Sequence, residues 1–251
     1  MSKNPFTEPV SEKEFNGYWI PRHNAKVMKA GIENNNAPFL PNAYGQIKAE
    51  PVINAATGYC LPAPRLIPAQ FVKNEKGLTS GFVTTKSIMD EVGAKPKEGE
   101  KALFYNFKNE EGEICTASYF FPEQTDNPQG IIDKAMLNVK PAENLNSVTI
   151  AIANSEPEEY LASYIAACKT GMTVTASPDV AEDFKKKMLV SLNNDLLKNE
   201  EKDTSIKSMN EILFNADKRS TEIIKTLSNS QNPNRTVAEL KKKQEMEIDL
   251  F

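Results

Sequence analysis

The sequence predicts an α+β protein. Its N-terminal part should hold a small antiparallel or mixed sheet with short helices, and its C-terminal part should be helical. Two observations carry this reading. Around residues 101–121, two apolar alternating runs flank an acidic, glycine-containing turn, the pattern of a β-hairpin. After residue 155, apolar residues recur every three or four positions, the period of an amphipathic helix.

The elements follow in order. Residues 1–15 form a polar, proline-containing N-terminus expected to be flexible, with Asn4-Pro5 and Glu8-Pro9 as breakers. Asn24 to Glu33 reads as a short helix carrying Val27, Met28 and Ile32, ended by three asparagines. Ala37 to Pro68 is rich in Pro, Asn and Gly and predicts irregular structure. A turn is expected at Asn54–Gly58, where Thr57-Gly58 supplies a left-handed position. Gly81 to Thr84 reads as a strand and Thr85 to Glu91 as a short helix stopped by Gly93. Lys101 to Phe107 places Leu103, Tyr105 and Phe107 on one strand face. Glu110 to Glu113 is the turn, and Ile114 to Phe121 returns. This hairpin, with one or two more strands such as Val148 to Ala153, is the expected sheet.

Beyond it, Ser155 with Glu158 suggests a capping box, followed by Tyr160, Leu161, Tyr164, Ile165 and Cys168 up to Gly171. Ser177-Pro178 opens a second helix with Val180, Phe184, Met188, Leu192 and Leu196 as its stripe. Ile206, Met209, Leu213, Ala216, Ile223 and Leu227 keep a three-four spacing. That stripe suits either an internally docked helix or a homo-oligomer contact through the 205–227 helix. The organisation is therefore an α+β region over 16–154, a helical region over 155–227, and a polar linker with a terminal tail over 228–251.

Composition narrows the function. One histidine, His23, rules out a His-Glu-x-x-His zinc helix and leaves imidazole catalysis to a residue in a polar segment. Cys60, Cys115 and Cys168 are isolated, so no thiol metal framework is visible. No phosphate-binding glycine loop occurs. A non-enzymatic protein without cofactor or metal is expected, and with no apolar leader or membrane-length run, a cytoplasmic one. The net charge is −4, yet residues 1–110 carry +3 and residues 111–251 carry −7. The basic part also holds Tyr18, Trp19 and Tyr59. Single-strand binding needs base-stacking rings beside cations. The candidates are Trp19, Arg22, Lys26, Tyr59, Arg65, Lys86, Lys95, Lys97, Lys101 and Tyr105.

Four short motifs sharpen this. Asn54-Ala55-Ala56-Thr57-Gly58-Tyr59 resembles the N-x-x-T-G-x-x-Y opening of the N-terminal domain of ArdC-type antirestriction proteins. Thr84-Thr85-Lys86 leading through Glu91-Val92-Gly93 resembles that family's strand-then-helix segment. Lys97-Glu98-Gly99-Glu100-Lys101 resembles its K-x-G-x-K hairpin entry, and Phe120 to Thr125 its F-N-x-E-Q-T exit. The match covers about residues 16–126, in order. The family's P-W element before the loop has no clear match. The resemblance implies a single-stranded-DNA-binding domain of plasmids and phages. Full members add a peptidase-like domain with the His-Glu-x-x-His helix that one histidine excludes.

The last five residues, Glu247, Ile248, Asp249, Leu250 and Phe251, resemble the bacterial sliding-clamp-binding peptide Gln-Leu-(Ser/Asp)-Leu-Phe, departing at its first two positions. They also resemble the acidic, Phe-terminated tips of single-stranded-DNA-binding proteins. The tail is expected to present Leu250 and Phe251 to an apolar pocket of the clamp or another replication protein. The expected function is non-sequence-specific binding of single-stranded DNA in a phage or mobile element, weakening steeply with salt. The alternative is an inhibitor of a host defence or replication component that uses the acidic helical half and tail.

Overall fold

Phe39 lies at the centre of the main core. Its ring meets the edges of Phe71, Tyr164 and Phe184 with centroids 5.3–6.1 Å apart. Phe184 stacks on Tyr160 at 3.8 Å, and the Tyr160 hydroxyl donates to the Phe39 carbonyl at 3.0 Å. Aromatic rings prefer such offset and edge-on contacts, and a buried hydroxyl must find an acceptor.

The computed structural model describes residues 22–108, 111, 114–140, 145 and 148–229. In chain order the elements are α1 (Arg22–Glu33), β1 (Gln46–Ile47), β2 (Ile53–Asn54), α2 (Ala63–Lys76), β3 (Phe82–Val83), α3 (Lys86–Glu91), β4 (Leu103–Lys108) and β5 (Ile114–Tyr119). After a 3-10 turn at Pro122–Gln124 come α4 (Pro128–Asn138), β6 (Thr149–Ile152), α5 (Pro157–Thr170), β7 (Thr173–Ala176), α6 (Pro178–Leu196) and α7 (Met209–Ser228). The α+β class and the helical C-terminal part are as the sequence predicts.

The sheets differ from the expectation. β4 and β5 pair antiparallel as the expected hairpin, with Leu103 opposite Tyr119 and Phe107 opposite Cys115, but they form a sheet of their own. Residues 149–152 instead join a separate sheet of order β1-β7-β6. There β6 and β7 run parallel with α5 as the crossover between them, and β1 pairs antiparallel with β7. Parallel neighbours require such a crossover, so α5 is pressed onto the sheet and covered by α7 on another side. Residues Tyr160 to Cys168 of α5 are all buried.

Three elements go beyond the sequence reading. α2 runs through residues expected to be irregular. Pro64 fits its first turn, where the missing N–H has no partner to lose. Pro68 removes one internal bond, yet every residue from Ala63 to Lys73 except Arg65 is buried, and packing outweighs the local penalty. α4 starts at Asn127-Pro128, with the Asn127 carboxamide accepting from the Gly130 N–H at 3.1 Å. β7 occupies the short stretch between Gly171 and Ser177.

The expected capping box is also corrected. Ser155 donates to Asp183 of α6 and accepts from Lys187, and α5 starts at Pro157 without a side-chain cap. The α7 stripe is buried within the same chain by Met209, Ile212, Leu213, Ala216, Ile223 and Leu227. The main core is one cluster that runs from Ala25 to Leu227. A smaller core of Ala55, Ile88, Met89, Ala94, Ile131 and Ala135 lies beneath α3 and α4.

Candidate nucleic-acid interface

The Asn54–Tyr59 motif is the best-determined part of the site. The Asn54 side-chain oxygen accepts from the Ala56 N–H at 2.9 Å, and the Gly58 N–H bonds back to the Asn54 carbonyl at 2.8 Å. Asn and Gly close turns for these two reasons. Gly58 is needed twice over. Its φ is +73°, and a Cβ there would lie 1.7 Å from the Asn138 carbonyl oxygen at the end of α4. The Gly58 carbonyl accepts from the Lys140 N–H at 3.0 Å, and the Asn138 side chain donates to the Ala55 carbonyl at 2.9 Å. The turn is thereby locked to the C-terminal end of α4. Tyr59 follows it with 62% of its surface exposed.

The Asn54 side-chain nitrogen reaches inward to the Tyr119 hydroxyl at 3.4 Å. The same hydroxyl accepts from Tyr105 at 3.0 Å and from Arg65 at 3.2 Å. Tyr105 and Tyr119 stack at 4.9 Å, and the Arg65 guanidinium lies flat over Tyr105, 3.9 Å from its centroid. This cation–π stack fixes Arg65 at the surface edge of α2. Tyr105, predicted as a stacking residue, is only 8% exposed. It supports Arg65 from below instead of offering a free face.

A third connection comes from α7. Asp217 accepts from the Ala63 N–H at 2.8 Å, satisfying a free donor at the start of α2, and from Lys169 at 3.0 Å. The helix that carries Arg65 is therefore held by the C-terminal half.

The predicted lysines are placed differently. Lys95 and Lys97 run beside the 3-10 turn. Lys97 N–H bonds to the Gln124 carbonyl, and its ammonium donates to the Glu123 carbonyl at 2.9 Å. Lys86 pairs with Asp90 at 2.6 Å. Lys101 is exposed, and its carbonyl accepts from Gln124. This lysine group borders the N-terminal end of α4, whereas Tyr59 borders its C-terminal end. At about 1.5 Å per residue, the 11-residue helix separates them by about 16 Å. Arg22 donates to the Leu196 carbonyl at the end of α6. Lys26 is exposed on α1. Arg22 thus belongs to the α1–α6 contact. Trp19 and the tail Glu247 to Phe251 lie outside the described residues.

Sequence reasoning missed the far wall of the turn. Met136, Leu137 and Val139 are exposed beside it, followed by exposed Lys140. Their signal was present: an Asn-Pro start with Ile131 and Ala135 four apart.

Around the site, carboxylates are tuned by their donors. Burial opposes ionisation of Glu123, but hydrogen bonds from Thr79 and Ser80 outweigh it and hold the carboxyl below its usual range. Glu100 is lowered by bonds from Gln124 and then Lys76. Burial pushes the Cys60 thiol up to about 11 and the Cys168 thiol higher still, so neither is poised as a nucleophile.

No family model matches the sequence, and no curated protein matches it. Two solved structures match in the structural comparison, both of the antirestriction protein ArdC from the R388 plasmid. The Mn(II)-bound structure matches at a TM-score of 0.50 and 12% identity, over 84% of this chain and 98% of that one. The metal-free structure matches at 0.34 and 12%, over 69% of this chain and 65% of that one. The likeness to the Mn(II)-bound structure is one of fold. Its metal has no counterpart set here: among the described residues no three His, Cys, Asp or Glu side chains come together, and His23 lies exposed in the first turn of α1. The described residues do not fit a manganese site. None of the described helices is long and apolar enough to cross a membrane.

Proposed function

We propose that this chain is a non-catalytic single-stranded-DNA-binding protein of a plasmid, phage or other mobile element, acting in the cytoplasm in an antirestriction setting. The observation that carries the reading is the presentation of Tyr59. A turn that needs Asn54 and Gly58, locked to α4, holds an aromatic ring outward next to Lys140 and near the Arg65–Tyr105–Tyr119 stack. A fold does not require an exposed ring at such a fixed position, but a base-stacking site does. The shared fold with ArdC, an antirestriction protein, supports the setting, as do the four motifs in order.

Fluorescence anisotropy with single- and double-stranded DNA and RNA of equal length tests the reading. Preference for single-stranded DNA, lost in Tyr59→Ala with an unchanged melting curve, supports it. No affinity for any single strand at low salt sinks it. The terminal peptide Glu247 to Phe251 would then recruit a replication protein such as the sliding clamp. Deleting those five residues should abolish clamp pull-down, and unchanged pull-down would remove this part of the proposal.

A further inference from the structure

We infer that the Tyr59 face captures unpaired bases and does not follow the phosphate backbone, with the C-terminal end of α4 as its second wall. This deepens the single-strand reading and rests on it. Seven large apolar side chains are exposed among the described residues, and four of them, Tyr59, Met136, Leu137 and Val139, lie on the turn and on the C-terminal end of α4 that is bonded to it. Leu137 is 83% exposed and Met136 61%. Tyr44, Val190 and Leu197 lie elsewhere. Scattered apolar residues are ordinary on a surface, whereas a group of four on adjoining backbone marks a binding face. The adjacency is fixed by the Lys140 N–H to Gly58 carbonyl bond and the Asn138 to Ala55 bond.

Several cations away from this face are already engaged. Lys134 pairs with Glu91 at 2.9 Å, Lys86 with Asp90 at 2.6 Å and Lys76 with Glu100 at 2.5 Å. Lys97 is held by a carbonyl. Lys140 is exposed and forms no ion pair among the described residues, and Arg65 lies flat on Tyr105. One or two cations cannot grip a run of phosphates. They can select a polyanion over a neutral peptide while the ring and the aliphatic wall take the faces of one or two bases. A base offers two flat apolar faces only when it is unpaired, so this composition selects single strands without reading sequence.

Binding at this face should therefore depend on bases more than on salt. The slope of log affinity against log salt is about −0.7 per phosphate neutralised on single strands, so one or two contacts give a slope of about −1. The steep dependence expected from the lysine count does not follow from this geometry. The full chain is titrated with labelled oligothymidine and with an abasic tetrahydrofuran strand of equal length and charge. The abasic strand should bind at least tenfold more weakly. Leu137→Ser should weaken oligothymidine binding about fivefold or more, with unchanged melting because the side chain is exposed. Equal binding of both strands, or a slope of −4 or steeper, overturns the inference and leaves single-strand binding standing. No binding of either strand overturns both. Equal binding of both strands with self-association that Leu137→Ser abolishes in sedimentation assigns the face to a second copy of the chain, and overturns it as well.

Discussion

Replacing Gly58 by alanine tests how the turn is held. The perturbation has two parts. An L-residue at φ +73° costs about 1–2 kcal/mol. The new Cβ would also lie 1.7 Å from the Asn138 oxygen and 2.5 Å from its carbonyl carbon. Both are backbone atoms at a helix end, so the turn must move away. That movement breaks the Lys140 N–H to Gly58 bond and the Asn138 to Ala55 bond, each contributing about 1 kcal/mol. The expected loss is about 3–4 kcal/mol in denaturant unfolding. Gly77→Ala is the matched control. Its φ is +64° with nothing within 4 Å of an added Cβ, so it carries only the backbone strain of about 1–2 kcal/mol. Gly58→Ala should exceed Gly77→Ala by about 2 kcal/mol and should alone weaken oligonucleotide binding. If the two variants unfold within about 0.5 kcal/mol of each other, the turn is not locked to α4 in the way argued.

Four further outcomes follow from the same contacts. Arg65→Lys keeps the charge but loses the flat stack on Tyr105, and thermal unfolding should show a loss of about 1 kcal/mol with weaker oligonucleotide binding. Asp217→Ala removes the acceptor for Ala63 and the partner of half-buried Lys169, for about 2 kcal/mol in denaturant unfolding, and Asp217→Asn recovers part of this by keeping the acceptor. Glu50, Glu100 and Glu123 have lowered carboxyl values when folded, so their stabilisation is complete above the ordinary 4.5 and is lost as pH falls below it; burial raises Asp195, so Asp195→Asn should help most at neutral pH and least in acid, which melting against pH checks. A fragment ending at residue 154 should show no cooperative unfolding, because it lacks Tyr160, Tyr164, Phe184 and Leu213 from the continuous core.

Local signals were legible where local physics decides. The alternation of Leu103, Tyr105 and Phe107 gave the hairpin, and the spacing of Phe184, Met188 and Leu192 gave α6. The turn at Asn54–Gly58 was readable because Asn and Gly serve a backbone need. α2 was not, because Pro64 and Pro68 read as breakers and only burial against Phe39 and α7 overrides them. The sheet order was also hidden. Nothing local tells Val174 to pair with Ile150 and Ile47, since that choice depends on α5 crossing between β6 and β7. At the site, Tyr59 and Arg65 were identifiable by type. That Tyr105 lies beneath Arg65, and that Leu137 faces outward beside Tyr59, depends on contacts made across 40 and 78 positions of the chain.

The two halves of the chain act on one surface. Charge divides them, +3 over residues 1–110 and −7 beyond, and suggests separate tasks. The contacts join them. Asp217 of α7 and Lys169 of α5 sit at the N-terminus of α2, two residues before Arg65. Tyr160 and Tyr164 of α5 close the core around Phe39 and Phe71, the latter also on α2. α2 is thus held at its start by Asp217 of α7 and farther along by Phe39, whose ring Tyr164 and Phe184 enclose from beyond residue 154. The Arg65 stack, and through Tyr119 the Asn54 turn, inherit their position from that grip. In this fold the helical half holds α2, and through α2, Arg65 and Tyr119 it holds the turn that carries Tyr59.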